Sequence, residues 1–311
     1  MKYLLRKIIK GILKYPAILF DNIFLYLYYR FSKKGNYRID EPFLNKNNKV
    51  LFISPHIDDE TIGAGGTLLK HAENGDEIVC IYIADGGGAV STLDKESLIK
   101  LRKKEAEKIK DIVGIEKLYF LDIPDGQVII KDEYIAKINS ILKNENPNII
   151  YTPFLLDGHI DHVNSTRIII ESIRQWDNDF KNIYMYSVNA PIRPDIISNI
   201  TIMDKSLFKK KNSLYDIFKS QYVMGFDAFI MVNRMERILI NQGYGLEAFV
   251  KSDLDTVFQF NNILIDKKFN PNEFRQLSSR YNLFFSFMKN KKFKYEYMDI
   301  FKELSANKQK I

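Results

Sequence analysis

The segment HIDDE at residues 56–60 places His56, Asp58, Asp59 and Glu60 within five positions, directly after the apolar run KVLFIS. Adjacent carboxylates repel one another unless a positive charge stands among them. A second group, Asp157, His159, Asp161 and His162, follows another apolar run, NIIYTP. Three of the four histidines therefore sit beside carboxylates. Imidazole nitrogen plus carboxylate oxygen, with no thiolate, suits a zinc-like ion that keeps one position open for chemistry. His56 and Asp59 are close enough along the chain to share such an ion, and His162 completes a set of three. Asp58 cannot easily join the same ion from the adjacent position, and stands instead as a general base for an attacking water. Taken alone, HIDDE also reads as an acidic helix N-cap. The second histidine group tips the balance toward a metal. His71 falls inside the following helix and is expected at the surface.

Elements of alternating type must position these residues. KVLFIS (49–54), EIVCIYIA (77–84), KLYFL (117–121), NIIYTP (148–153) and NIYMYSV (182–188) read as strands. Residues 61–74, 94–113, 131–144 and 161–175 read as the helices between them, with Gly75 and Gly114 closing the first two. Strand then helix at this spacing predicts an α/β fold: a Rossmann-like open, mostly parallel sheet with helices on both faces. Ligands of such sheets bind outside the carboxyl ends of the strands. That rule gathers His56, Asp58 and Asp59, then Asp85, then LDIPDG (121–126), then His159 and His162 into one cleft. The glycines Gly63, Gly65, Gly66 and Gly86–Gly88 would let backbone approach a ligand there. No GxGxxG follows a strand, which argues against a dinucleotide site and against a nucleotide-sugar transferase.

With these residues assembled, HIDDE followed by GAGGTL resembles the first motif of the PIG-L/LmbE-like zinc-dependent N-deacetylases, and HIDH at 159–162 resembles their second. LRKKEAEKI (101–109), LDIPDG (121–126), SLYDIFKSQ (213–221) and EAF (247–249) are similar to weaker family segments, so the resemblance runs from about residue 48 to about residue 250. It implies hydrolysis of the acetamido group of an N-acetyl-hexosamine conjugate, soluble or lipid-linked. It implies zinc bound by His56, Asp59 and His162, and Asp58 as base. His159 would stabilise the oxyanion or act as acid, steered by Asp161, and would help most when protonated. Arg102 and Asp125 would hold the sugar. Ile57 and Ile160 stand where the family has proline, and Lys219 where it has a histidine. Neither isoleucine is a ligand, so the chemistry survives the change. A metal-containing glycan-binding protein is the non-enzymatic alternative, but it has no use for a base beside the metal.

The chain has 311 residues, 46% of them apolar, with a formal charge of +7. The positive excess lies near the two ends, which argues against nucleic acid along the body and for anionic partners at the termini. Cys80 is the only cysteine, so no internal disulfide forms and the chain suits a reducing, cytoplasmic compartment. At the start, Leu4, Leu5, Ile8, Ile9, Ile12 and Leu13 share one helical face, and Lys2, Arg6, Lys7, Lys10 and Lys14 the other. A second apolar segment follows Pro16. Lys14, Asp21 and Arg30 interrupt any membrane span. Residues 1–31 are therefore expected to lie on an anionic membrane surface at its inner face. The plainer alternative is a helical hairpin packed on the protein's own core or on a partner. Three parts are expected: N-terminal helices (1–47), a deacetylase-like domain (48–254) and an aromatic, lysine-rich helical extension (255–311).

Overall fold

An eight-stranded sheet organises the chain in the order β1-β7-β8-β6-β5-β2-β3-β4. The strands are β1 (Arg38–Ile39), β2 (Lys49–Ser54), β3 (Glu77–Ala84), β4 (Lys117–Ile123), β5 (Ile149–Pro153), β6 (Ile183–Tyr186), β7 (Asn199–Met203) and β8 (Gly245–Ser252). All neighbours run parallel except β8, which is antiparallel to both β6 and β7. The helices are α1 (Lys2–Phe31), α2 (Asp59–Asn74), α3 (Lys95–Val113), α4 (Asp132–Glu145), α5 (Ile160–Trp176), α6 (Lys205–Leu214), α7 (Asp227–Glu236), α8 (Leu254–Asp266), α9 (Arg280–Met288) and α10 (Lys291–Lys308). The computed structural model describes residues 2–308, with side chains from Tyr15 onward. The two faces expected over residues 2–14 lie outside those side chains.

The fold is α/β, as the alternation of elements predicts. β2 and β3 are continuous apolar runs because helices cover the sheet on both sides, and Val50 to Ile53 and Ile78 to Ile83 are all buried. Phe52 pairs with Cys80 on one side and with Tyr151 on the other, so β2 lies at the sheet's centre. Cys80 is a fully buried strand thiol. The chain leaves β2 toward β3 on one side and returns as β5 on the other. The crevice between β2 and β5 is thus a topological switch point.

Local signals set the helix ends. Asp94 accepts a hydrogen bond from the Ser97 amide at 2.9 Å to start α3, and Gly114, at φ 89°, closes it in the left-handed conformation that glycine favours. α2 is helical on either side of a kink at Ala64 (φ −153°). Three expectations are corrected. α1 runs unbroken through Pro16, so no hairpin forms there. One lost backbone bond is outweighed by packing of its second half on α7 and α9. His71 is buried, not exposed: it bonds Asp76 at 2.7 Å and the Tyr151 hydroxyl at 2.9 Å. Gly63 and Gly66 face Tyr186 and Met203 in the core, where a Cβ would collide, and so serve packing of α2 on the sheet.

Candidate active site

The loops after β2, β3, β4 and β5 open on one edge of the sheet and line a cleft of about 210 Å³. His56, Asp58, Asp59, Arg102, Asp125, His159 and His162 all border it. Asp161 lies immediately beneath, fully buried. The eight residues singled out from the sequence therefore converge.

Three atoms form a near-equilateral triangle. His56 Nδ1 and Asp59 Oδ2 are 3.3 Å apart, His162 Nε2 and Asp59 Oδ2 3.2 Å, and His56 Nδ1 and His162 Nε2 3.2 Å. Bonds of about 2.0–2.1 Å in tetrahedral geometry put ligand atoms about 3.3–3.4 Å apart, so the triangle fits one face of a small divalent ion's coordination shell. The outer nitrogens of both rings are held by carboxylates. His56 Nε2 lies 3.3 Å from Asp125 and 3.3 Å from Asp161, and His162 Nδ1 lies 3.4 Å from Asp157. Such outer partners fix the tautomer and direct the inner nitrogen at a metal. Asp157 is itself fixed by the Asn189 amide and by the backbone N–H of Asn189 and His159.

The charge balance points the same way. Burial pulls His162 down, but Asp59 and Asp157 outweigh it and raise it to about 10. Burial likewise opposes protonation of His56, yet Asp125, Asp161 and Asp59 lift it well above the usual histidine range. Against burial, His162 and His56 hold Asp59 far below the ordinary carboxylate range. The pocket's carboxylates thus demand positive charge at this point, which a divalent ion would supply.

Asp58 sits beside the triangle with a strained backbone, at φ 147°. Its Oδ2 accepts from the Gln221 amide at 3.1 Å, and its Oδ1 lies 3.6 Å from Arg102. Burial raises its carboxyl to about 8, against the pull of Arg102, so a cation at the adjacent triangle is what would hold it ionised as a base. Arg102 is almost wholly buried and also donates to the Ile57 carbonyl. Its guanidinium is engaged with the Asp58 loop, where sugar contact had been expected. Gly86, at φ 69°, packs directly against it, leaving no room for a Cβ.

His159 stands edge-on to His56, with ring centroids 4.9 Å apart. Its Nδ1 accepts the Asp161 backbone N–H at 3.2 Å. The Asp161 carboxylate does not steer it, contrary to expectation: it accepts from Gly126 N–H at 2.7 Å and faces His56. Burial, and then the positive charge of His56 and His162, lowers His159 to about 4, so the ring is neutral at neutral pH. With Nδ1 accepting, its proton is on Nε2.

The sequence reading assigned no role to Asp157, Asn189, Gln221, Gln276 or Ser278. Gln221 belongs to the SLYDIFKSQ segment, whose likeness to the family was its signal. Glu105 on α3 accepts from the Ser220 N–H at 2.9 Å and the Ser220 hydroxyl at 2.6 Å, and so sets Gln221 in place. Gln276 and Ser278, from the segment before α9, complete the rim, and Gln276 donates to the Gly158 carbonyl at 2.9 Å.

Residues 51–173 match the PIG-L family, described as GlcNAc-PI de-N-acetylase. The diacetylchitobiose deacetylase of Thermococcus kodakarensis is 33% identical over 147 residues, 45% of this chain and 54% of the relative. This chain therefore spans about half the length of that relative. A probable N-acetyl-α-D-glucosaminyl L-malate deacetylase of Bacillus cereus is 26% identical over 166 residues, 49% of this chain and 76% of the relative. Among solved structures, the N,N'-diacetylchitobiose deacetylase of Pyrococcus horikoshii superposes with a TM-score of 0.58 at 23% identity. That match covers 68% of this chain and 86% of the other, and at this identity it speaks to the fold.

Proposed function

We propose that the chain is a zinc-dependent amidohydrolase that removes the acetyl group from an N-acetyl-hexosamine conjugate of GlcNAc type, releasing acetate and a free amino sugar. The observation that carries this reading is the triangle of His56, Asp59 and His162 donor atoms with the Asp58 carboxylate beside it. These three residues would hold the zinc ion, which as a Lewis acid would polarise the acetamido carbonyl and ease deprotonation of water. Asp58, oriented by Gln221 and Arg102, accepts the proton of the attacking water and returns it to the departing nitrogen. His159 donates from Nε2 to the carbonyl oxygen as negative charge grows there. This role needs only the Nε2 proton that a neutral ring carries. Asp161 and Asp125 fix His56, and Asp157 fixes His162. Asp125, held down to about 2 chiefly by His56 against the effect of burial, also borders the cleft and remains the carboxylate placed to meet a sugar hydroxyl.

The proposed substrate is lipid-linked and presented at the cytoplasmic face of a membrane, in surface glycan or glycolipid assembly. Its support is the basic, apolar first helix. A second reading is a small soluble conjugate, favoured by the Bacillus relative, whose name specifies an N-acetylglucosaminyl malate. Acetate release from free, nucleotide-linked, small-aglycone and lipid-linked N-acetylglucosamine, measured with zinc content, separates the two. Release confined to the lipid-linked panel supports the first, and release confined to the small conjugates supports the second. No release from any substrate by zinc-loaded protein would overturn both.

A further inference from the structure

The second half of α1 is apolar on its outer face as well as on the face it packs into the protein. Its inner face, against α7 and α9, buries Leu25 and Tyr29, with Phe24 and Tyr28 packed against the core and Asp21 among them. Asp21 is 3% exposed, and its Oδ2 has no hydrogen-bond partner among the described residues. Its outer face carries Leu19, Phe20, Ile23, Tyr26, Leu27 and Phe31, all exposed, from 46% at Leu27 to 77% at Phe31. At 1.5 Å per residue this stripe is roughly 20 Å long. Water normally meets the polar face of a surface helix. An exposed apolar band of this kind marks a binding surface.

The band continues beyond α1. Phe20 packs on Phe284 of α9 at 5.4 Å, Phe284 on Phe285 at 5.6 Å, and Phe285 is 59% exposed. α9 starts two residues after Ser278 on the cleft rim, and the Gly225 N–H donates to the Ser278 carbonyl beside Met224, another rim residue. Tyr222 and Val223, each 62% exposed, join Gln221 to Met224 on the same rim. The apolar band is therefore continuous along the chain with the mouth of the cleft.

The charge around the band selects its partner. Arg30, Lys33 and Lys34 are exposed at the end of α1, Lys289 just after α9 and Lys292 at the start of α10. The sequence of residues 1–14 adds Lys2, Arg6, Lys7, Lys10 and Lys14 with no acid. Asp299 and Glu303 lie beside Leu27 and Phe31, but Lys33, Arg193, Lys291 and Lys302 line the same depression. An apolar stripe with cations in excess at its border complements an anionic lipid surface, with hydrocarbon below and phosphate at the rim. Among the described residues no helix is long and apolar enough to cross a membrane, so insertion is interfacial.

We infer that the outer face of α1 from Tyr15 to Phe31, extended by Phe285, docks on an anionic membrane surface and so brings lipid-linked acetamido sugars to the cleft. The substrate part of this inference rests on the deacetylase reading above; the docking part does not.

The test is vesicle flotation of the full chain. Phosphatidylcholine vesicles are compared with vesicles containing roughly 30 mol% phosphatidylglycerol, the anionic component. The wild type and Asp58→Asn are both expected to float with anionic vesicles and to be released by high salt. Leu19→Glu with Ile23→Glu is expected to weaken flotation by at least about tenfold, since both charges enter the apolar stripe. This double variant should keep its zinc content and its acetate release from a soluble substrate. Absence of flotation with any vesicle, or equal flotation of the double variant, overturns the inference. So does a wild-type dimer in light scattering that the double variant splits, because the face would then belong to a second copy. Flotation needs no turnover, so loss of the deacetylase reading and loss of the docking surface are separate results.

Discussion

Lys211 and Glu247 meet at 2.6 Å with both side chains wholly buried. Glu247 also accepts from the backbone N–H of Gly66 at 2.8 Å and of Thr67 at 2.7 Å. These are the first free amides after the kink at Ala64, so a carboxylate from β8 caps the second half of α2. The first half carries Asp59. The pair thus fixes the helix from whose start Asp59, a proposed metal ligand, projects.

Removing one partner should cost much more than removing both. Glu247→Gln leaves Lys211 charged and unpaired in the core, with an expected loss of about 3–5 kcal/mol and a Tm lower by roughly 5–10 °C. Lys211→Met combined with Glu247→Gln removes the stranded charge and keeps an acceptor for one of the two amides. It should recover part of that loss. Thermal unfolding of the two variants checks this, and equal or greater damage in the double variant would count against the capping account.

Asp58→Asn should lower kcat by about 10²–10⁴-fold while bound zinc stays at the wild-type level, because the side chain acts on the proton and not on the ion. Gln221→Ala removes one hydrogen bond to the same carboxylate. Its effect should be nearer fivefold to tenfold, at about 1 kcal/mol. Single-turnover kinetics with metal analysis distinguishes the two roles.

Asp157 does not itself line the cleft, yet it holds the outer nitrogen of His162. Asp157→Asn should weaken metal affinity by about 10–100-fold with all three ligands present. Chelator competition measures this. Stripping the metal from the wild type should lower Tm and abolish acetate release, and both should return on adding zinc.

Lys294 on α10 gives a pH test away from the site. Burial lowers it from 10.5 to about 8 despite Asp157, and its ammonium donates to the Ser286 carbonyl at 3.1 Å. The folded chain therefore binds fewer protons than the unfolded chain between about pH 8 and 10.5. Stability should rise across that window and fall again as pH drops to 8, where the full penalty is about 3 kcal/mol. Lys294→Met should be more stable than wild type at pH 7 and should lack this slope. Chemical denaturation at several pH values reads both effects.

The sequence was most legible where one periodicity ruled. β2, β3 and β5 are apolar on both faces, and the loops after them carried the histidines and acids, so topology alone assembled the metal-ligand candidates. It was least legible where a residue's role depends on a remote partner. His71 looked solvent-facing because Asp76 and Tyr151 enter its surroundings from other elements. Asp161 was paired with His159 by the family resemblance, whereas the turn into α5 sends its carboxylate to His56 and leaves only its amide for His159. β7 and β8 carry polar residues among the apolar ones, and Glu247 on β8 acquires meaning only against α2.

The packing of α1 on α9 sets an order of events during synthesis. Phe24 rests on Phe284 at 4.9 Å and on Phe287 at 5.5 Å, and Tyr28 on Phe287 at 4.9 Å. The ribosome makes the first of these partners roughly 250 residues before the second, a wait of about 10–50 s at ordinary elongation rates. Throughout that interval both faces of the helix lack their final cover. A bilayer or a chaperone that shields the nascent helix would keep it from aggregating until the C-terminal helices emerge.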